Sequence, residues 1–136
     1  MTINFWEPDD VPKPRDEVKI EKMEATIYRD RFRIRVNLWV TPFLERPSLA
    51  VALLDEPQNR VVAEMNIIET MHRKMEFTMH LRGIPGDPAG TYHMKARLYY
   101  DQDIAAAYDQ GEISIEIPTE EVMVAQDEKG ADHASQ

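Results

Sequence analysis

Apolar and polar residues alternate with a period of two along most of the chain. The longest run is Arg31 to Thr41. Phe32, Ile34, Val36, Leu38 and Val40 share one face there, and Arg31, Arg33, Arg35, Asn37 and Trp39 share the other. Successive side chains of a strand point to opposite faces, so this pattern predicts a half-buried β-strand. Val18 to Tyr28 alternates in two phases, first Val18 and Ile20, then Met23, Ala25 and Ile27. A β-bulge near Glu21–Lys22 would absorb the slip. Arg29-Asp30 between the two runs predicts a tight hairpin, with Asp30 tolerating left-handed backbone.

Four more strands follow from the same period. Leu49, Val51 and Leu53 mark a short one, closed by the turn formers Asp55 to Arg60. Met75, Phe77, Met79 and Leu81 mark the next, and Gly83 to Gly90 reads as a loop. Tyr92, Met94, Ala96, Leu98 and Tyr100 alternate with His93, Lys95, Arg97 and Tyr99, and Ile113, Ile115 and Ile117 form a last strand stopped by Pro118. The stretch Val61–Met75 is ambiguous, because Val61, Met65, Ile68, His72 and Met75 also fall at helical spacing. Its Val-Val and Ile-Ile pairs, placed after a hairpin-like turn, favour a strand over Val61–Ile68 with a short helical turn near Glu69–Arg73.

All nine prolines lie between these runs or in the N-terminal segment, as a sheet that needs its backbone donors requires. Seven strands at a spacing of roughly 8–14 residues predict an all-β fold, a seven-stranded antiparallel two-sheet sandwich over residues 18–118. Residues 1–17 read as an extended, Pro-rich acidic arm. Residues 119–136 have no periodicity and read as a disordered acidic tail.

The segment Asp87-Pro88-Ala89-Gly90-Thr91-Tyr92-His93-Met94 resembles the start of strand F in immunoglobulin-like and fibronectin-III-like domains. The resemblance implies that Tyr92 forms a tyrosine corner and that Met94 takes the core position held by a cysteine in antibody domains. The chain has no cysteine pair, and no tryptophan stands where strand C would put one. The likeness is to an architecture that carries many functions, so it implies binding only by analogy.

Charge narrows the functions. The net charge is −9, and the ends hold most of it: residues 1–17 carry five acids and two bases, and residues 119–136 five acids and one base. The middle mixes both signs, which argues against a nucleic-acid partner or docking on anionic lipid. With no cysteine, no apolar run long enough to span a bilayer and no leader-like N-terminus, the expected setting is the cytoplasm of a bacterium.

Catalytic and metal motifs are not found. No Gly-x-Ser-x-Gly, phosphate-loop or dinucleotide motif occurs, and thiol chemistry is absent. His72 and His80 stand about 26 Å apart along an extended chain, too far to share an ion. His80 and His93 are expected on the outer faces of opposite sheets. The sequence therefore points to no cofactor, no metal and no enzymatic role. It points to a protein-interaction module that takes a protein partner or self-associates, or else to a structural or accessory subunit of a larger assembly.

The candidate interaction surface is the set of outward residues Arg33, Arg35, Trp39, Lys95, Arg97 and Tyr99. One reading pairs the cations across strands, with Glu76 opposite the first row and Glu112 and Glu116 opposite the second. The other makes them a stripe for anions or acidic peptides. Trp39 is large for an outward position, so either the N-terminal arm, through Phe5 or Trp6, or a partner should cover it.

Overall fold

A computed structural model describes residues 11–123 of the chain. Among them lie seven strands: β1 (Ile20–Ile27), β2 (Arg33–Val40), β3 (Ser48–Asp55), β4 (Val61–Ile67), β5 (Lys74–His80), β6 (Gly90–Tyr99) and β7 (Asp109–Ile117). They form a three-stranded sheet in the order β1-β2-β5 and a four-stranded sheet in the order β4-β3-β6-β7, with every neighbouring pair antiparallel. The architecture is the sandwich that the alternation predicts. Its fourth strand joins the sheet of β3, whereas constant-type immunoglobulin domains place the fourth strand in the opposite sheet.

The core lies between the strands that are paired on both sides. Ile34, Val36, Leu38 and Val40 of β2 face Leu49, Val51 and Leu53 of β3 and Met94, Ala96 and Leu98 of β6, and none is more than 1% exposed. Each such side chain is worth about 1.5–3 kcal/mol of burial, which is why these three alternating runs were the clearest in the sequence. The β1 register shifts between Ile20 and Lys22, so the expected bulge is present. Tyr92 is buried and its hydroxyl donates to the Pro88 carbonyl at 2.6 Å, the predicted tyrosine corner.

Several expectations are corrected. The β1–β2 turn is wider than two residues, and Arg31 rather than Asp30 has the positive φ (66°). The Asp30 carboxylate accepts from the Phe32 N–H and from Arg33 Nε, while the Arg31 N–H donates to the Tyr28 carbonyl. This shifts the phase at the turn. Phe32 becomes exposed, and Arg31 turns inward to Asp87 (2.7 Å) and the Pro118 carbonyl (3.1 Å).

Residues 68–73 form no helical turn. Glu69 is left-handed (φ 47°), and its N–H donates to Ser48 Oγ while the Thr70 N–H donates to the Pro47 carbonyl. Strand β7 begins at Asp109, four residues before the alternation becomes visible at Ile113. It packs so closely on β1 that a Cβ on Gly111 would lie 2.8 Å from Met23 Sδ.

The ends of the domain also move. Lys13 bridges Phe43, residues 15–17 form a 3-10 turn and Val18 is buried, so residues 11–17 lie on the sandwich. Beyond Pro118 a helical turn over 120–123 buries Met123, so the ordered chain runs past the expected boundary. The rest of the arm and of the tail, residues 1–10 and 124–136, lies outside the described residues.

Candidate functional site

The six surface residues singled out in the sequence are split between the outer faces of the two sheets. On the three-stranded sheet, cross-strand register sets them in rows: Lys22–Trp39–Lys74, Glu24–Asn37–Glu76, and Thr26–Arg35–Thr78. The Trp39 ring is flanked by Lys22 Nζ at 4.8 Å and Lys74 Nζ at 5.1 Å from its centroid. Long lysine stems cover apolar surface while keeping their charge in water, so the neighbouring strands themselves shield the half-buried ring. Arg33 is held by Asp30 at 2.7 Å and stacks on Tyr28 at 4.4 Å. Arg35 makes no ion pair among the described residues. Glu76 stands opposite Asn37, not opposite an arginine as expected.

On the four-stranded sheet Lys95 and Glu112 pair as expected, at a loose 4.0 Å. Glu116 instead accepts from the Thr91 hydroxyl. Tyr99 is only 2% exposed, which removes it from the candidate surface. The β6–β7 loop folds over this end of the face, where Arg97 Nη2 donates to the Ala105 carbonyl at 3.3 Å. Alternation gave the direction of Tyr99 correctly, but it carries no information about a loop that returns over the sheet.

One cluster was missed. His93 Nε2 lies 2.5 Å from Glu56 Oε1, and its Nδ1 lies 3.4 Å from Ser114 Oγ. A serine, a histidine and a carboxylate in line resemble the parts of a hydrolytic triad. The setting does not supply the rest. The cluster sits on an open sheet face, and β6 is paired on both sides, so its amides are committed to the ladders and cannot converge on an oxyanion. The contacts tie β6 to the β3–β4 turn.

The larger constellation lies at the end of the sandwich where the loops 41–47, 68–73 and 100–108 emerge. A cleft of about 680 Å³ there is lined by residues that include Arg15, Glu45, Arg46, Glu69, Tyr100 and Asp101. Arg15 is its organiser. The guanidinium donates to Asp101 at 2.6 and 3.0 Å and to Glu45 at 2.8 Å, and it stacks on the Tyr100 ring at 4.6 Å. Tyr108 packs edge-on against Tyr100 at 4.9 Å.

These contacts set the electrostatics. Hydrogen bonds from Arg15 hold the Asp101 carboxyl below its ordinary range, and the same bonds, with those to Glu45, raise the guanidinium pKa. Burial, with the nearby Glu45 charge, pushes the Tyr100 phenol up to about 12. The partners of Arg15 lie 30 and 86 residues away in sequence, so no local motif could reveal this cluster.

The three loops also carry exposed apolar side chains. Leu44 is 69% exposed and Met71 67%, the two most exposed large apolar residues among those described, and Ile104 and Tyr108 stand on the third loop. The Thr70 and Glu69 bonds to Pro47 and Ser48 stitch the loops of Leu44 and Met71 together. Among the described residues no group of three or more His, Cys, Asp or Glu side chains is placed to hold a metal ion. No helix among them is long and apolar enough to cross a membrane.

No family model matches the chain, and no curated protein matches its sequence. Similar solved structures belong to larger enzymes. A β-glucuronidase from Bifidobacterium dentium, complexed with coumarin-3-O-glucuronide, shares 18% identity over 75% of this chain and 18% of its own, with a TM-score of 0.58. A glycosyl hydrolase family 2 member from Bacteroides cellulosilyticus shares 19% identity over 74% of this chain and 14% of its own, with a TM-score of 0.49. A β-glucuronidase from Ruminococcus gnavus shares 17% over 74% and 16%, with a TM-score of 0.47. This chain thus spans less than a fifth of each enzyme, and at such identities the likeness shows the β-sandwich fold alone.

Proposed function

We propose that this chain is a non-enzymatic protein-interaction module that engages its partner with the loop end of the sandwich. The observation that carries the reading is the placement of Leu44 and Met71. Two large apolar side chains are held in water on loops that are hydrogen-bonded to one another, beside a cleft rich in charge. Burying each would yield about 1.5–3 kcal/mol, and clustered apolar exposure rimmed by polar groups is the usual mark of a protein contact. The ordered Arg15–Glu45–Asp101 network beside them supplies a rigid polar rim.

The alternative, an accessory part of a larger assembly, draws support from the Bifidobacterium dentium β-glucuronidase, where a sandwich of this shape is a minor share of a longer chain. The two readings share one test. Wild-type chain and a Leu44→Asp/Met71→Asp variant are each immobilised and exposed to lysate of the source organism. A protein held by the wild type and lost by the variant, at unchanged circular dichroism, supports the reading. Equal retention by both moves the contact elsewhere.

A further inference from the structure

The sandwich has four edge strands, and they are not alike. Strand β1 carries Glu21, Lys22 and Glu24 and is bulged, while β7 carries the three acids Asp109, Glu112 and Glu116. The Ile20 N–H also donates to Asp109 at 2.7 Å, closing that side of the sandwich. Strand β5 carries Lys74 and Glu76. Strand β4 reads Val-Val-Ala-Glu-Met-Asn-Ile, with Glu64 as its single charge and neither proline nor glycine. Exposed edges are normally protected by charge, bulges or proline, and β4 has the least protection of the four.

The hydrogen-bond pattern shows which groups of β4 are free. At the two ends of β3 the Asp55 N–H donates to Arg60 and the Pro47 carbonyl accepts from Thr70, so odd-numbered residues of β3 bond toward β4. Their partners Ala63, Met65 and Ile67 spend their amides on that ladder. Glu64 and Asn66 therefore point their N–H and C=O groups outward, as does Val62, whose carbonyl accepts from the Arg82 N–H at 2.8 Å.

We propose that β4 pairs antiparallel with β4 of a second copy of this chain, joining two four-stranded sheets into one across a two-fold axis. The commitment to a second copy rests on register and charge. Faces match only if even-numbered residues oppose even-numbered ones, which leaves two registers that overlap the whole strand. One sets Glu64 against Glu64. The other sets Glu64 against Asn66, Val62 against Ile68, and Met65 on the axis. The second register avoids like charges and makes Glu64 and Asn66 the hydrogen-bonded pair on each side of the axis. It also covers Ile68, which is half exposed. This surface is separate from the loop cleft, so either proposal can fail without the other.

Charge swaps test it, read by multi-angle light scattering over a dilution series. The wild type is expected to dimerise. Asn66→Glu, which opposes two carboxylates on each side of the axis, should weaken dimerisation about tenfold. Adding Glu64→Lys to that variant should restore it. A single cysteine at the axis, Met65→Cys in this cysteine-free chain, should oxidise to a disulfide-linked dimer, while Glu24→Cys on β1 should not. A wild type that stays monomeric at the highest attainable concentration overturns the proposal. So does a dimer whose affinity ignores the charge at position 66.

Discussion

Tyr92 closes the loop before β6 through one buried hydroxyl, so its value can be measured by removing a single atom. Tyr92→Phe keeps the ring and strands the Pro88 carbonyl, at an expected cost of about 1 kcal/mol or somewhat more. Urea unfolding reads this directly, and an unchanged midpoint would mean that the corner is only a geometric coincidence. Trp39 offers a second residue-scale test. If the flanking lysine stems are its cover, Lys22→Ala/Lys74→Ala should make the ring more accessible to acrylamide. The measurement needs a Trp6→Phe background, because the chain has two tryptophans.

At the scale of elements, the short turn after β7 contributes through Met123. The Met123 N–H donates to the Thr119 carbonyl and its side chain is 8% exposed, so truncation after Pro118 should lower stability by about 1–2 kcal/mol relative to truncation after Met123. Equal melting temperatures for the two truncations would show that this turn adds nothing.

Legibility in the sequence follows the same physics. Strands β2, β3 and β6 were readable because one face of each packs against the core, which imposes period-two alternation. The first half of β7 was not. Gln110 and Gly111 sit where close approach to β1 excludes a large side chain, so the apolar signal disappears although the pairing with β6 continues. The expected helical turn near Glu69–Arg73 failed for a related reason. Its helix-favouring residues are overridden by Ser48 and Pro47, which bind the backbone of Glu69 and Thr70 from another loop. The Arg15 cluster and the burial of Tyr99 also depend on such long-range returns, and local pattern does not encode them.

Across the whole molecule, three aspartates fix loops and make stability depend on pH. Asp87 is held below its ordinary range by the Ala89 N–H and by Arg31, Asp55 by the backbone N–H and the side chain of Arg60, and Asp101 by Arg15. A depressed carboxyl stabilises the fold above its unfolded pKa, and that contribution is lost as pH falls through the folded value. The chain should therefore lose stability progressively below about pH 4, and Asp87→Asn should make the dependence shallower. Identical acid melting curves for the two proteins would contradict the role given to Asp87.

The Ser114–His93–Glu56 line makes a separate prediction of function. Hydrolysis of p-nitrophenyl acetate should be no faster for the wild type than for Ser114→Ala. A rate that depends on Ser114 would return the chain to the enzymes.

The central claim is that contact with a partner is made by the loop end and not by the strand faces. Amide hydrogen exchange, measured on the chain alone and with the protein it captures, tests this most directly. The account predicts new protection in residues 41–47, 68–73 and 100–108, with β2 around Arg33, Arg35 and Trp39 unchanged. Protection concentrated on β2 and β5, with the three loops exchanging as before, would contradict it and return the contact to the arginine and tryptophan face.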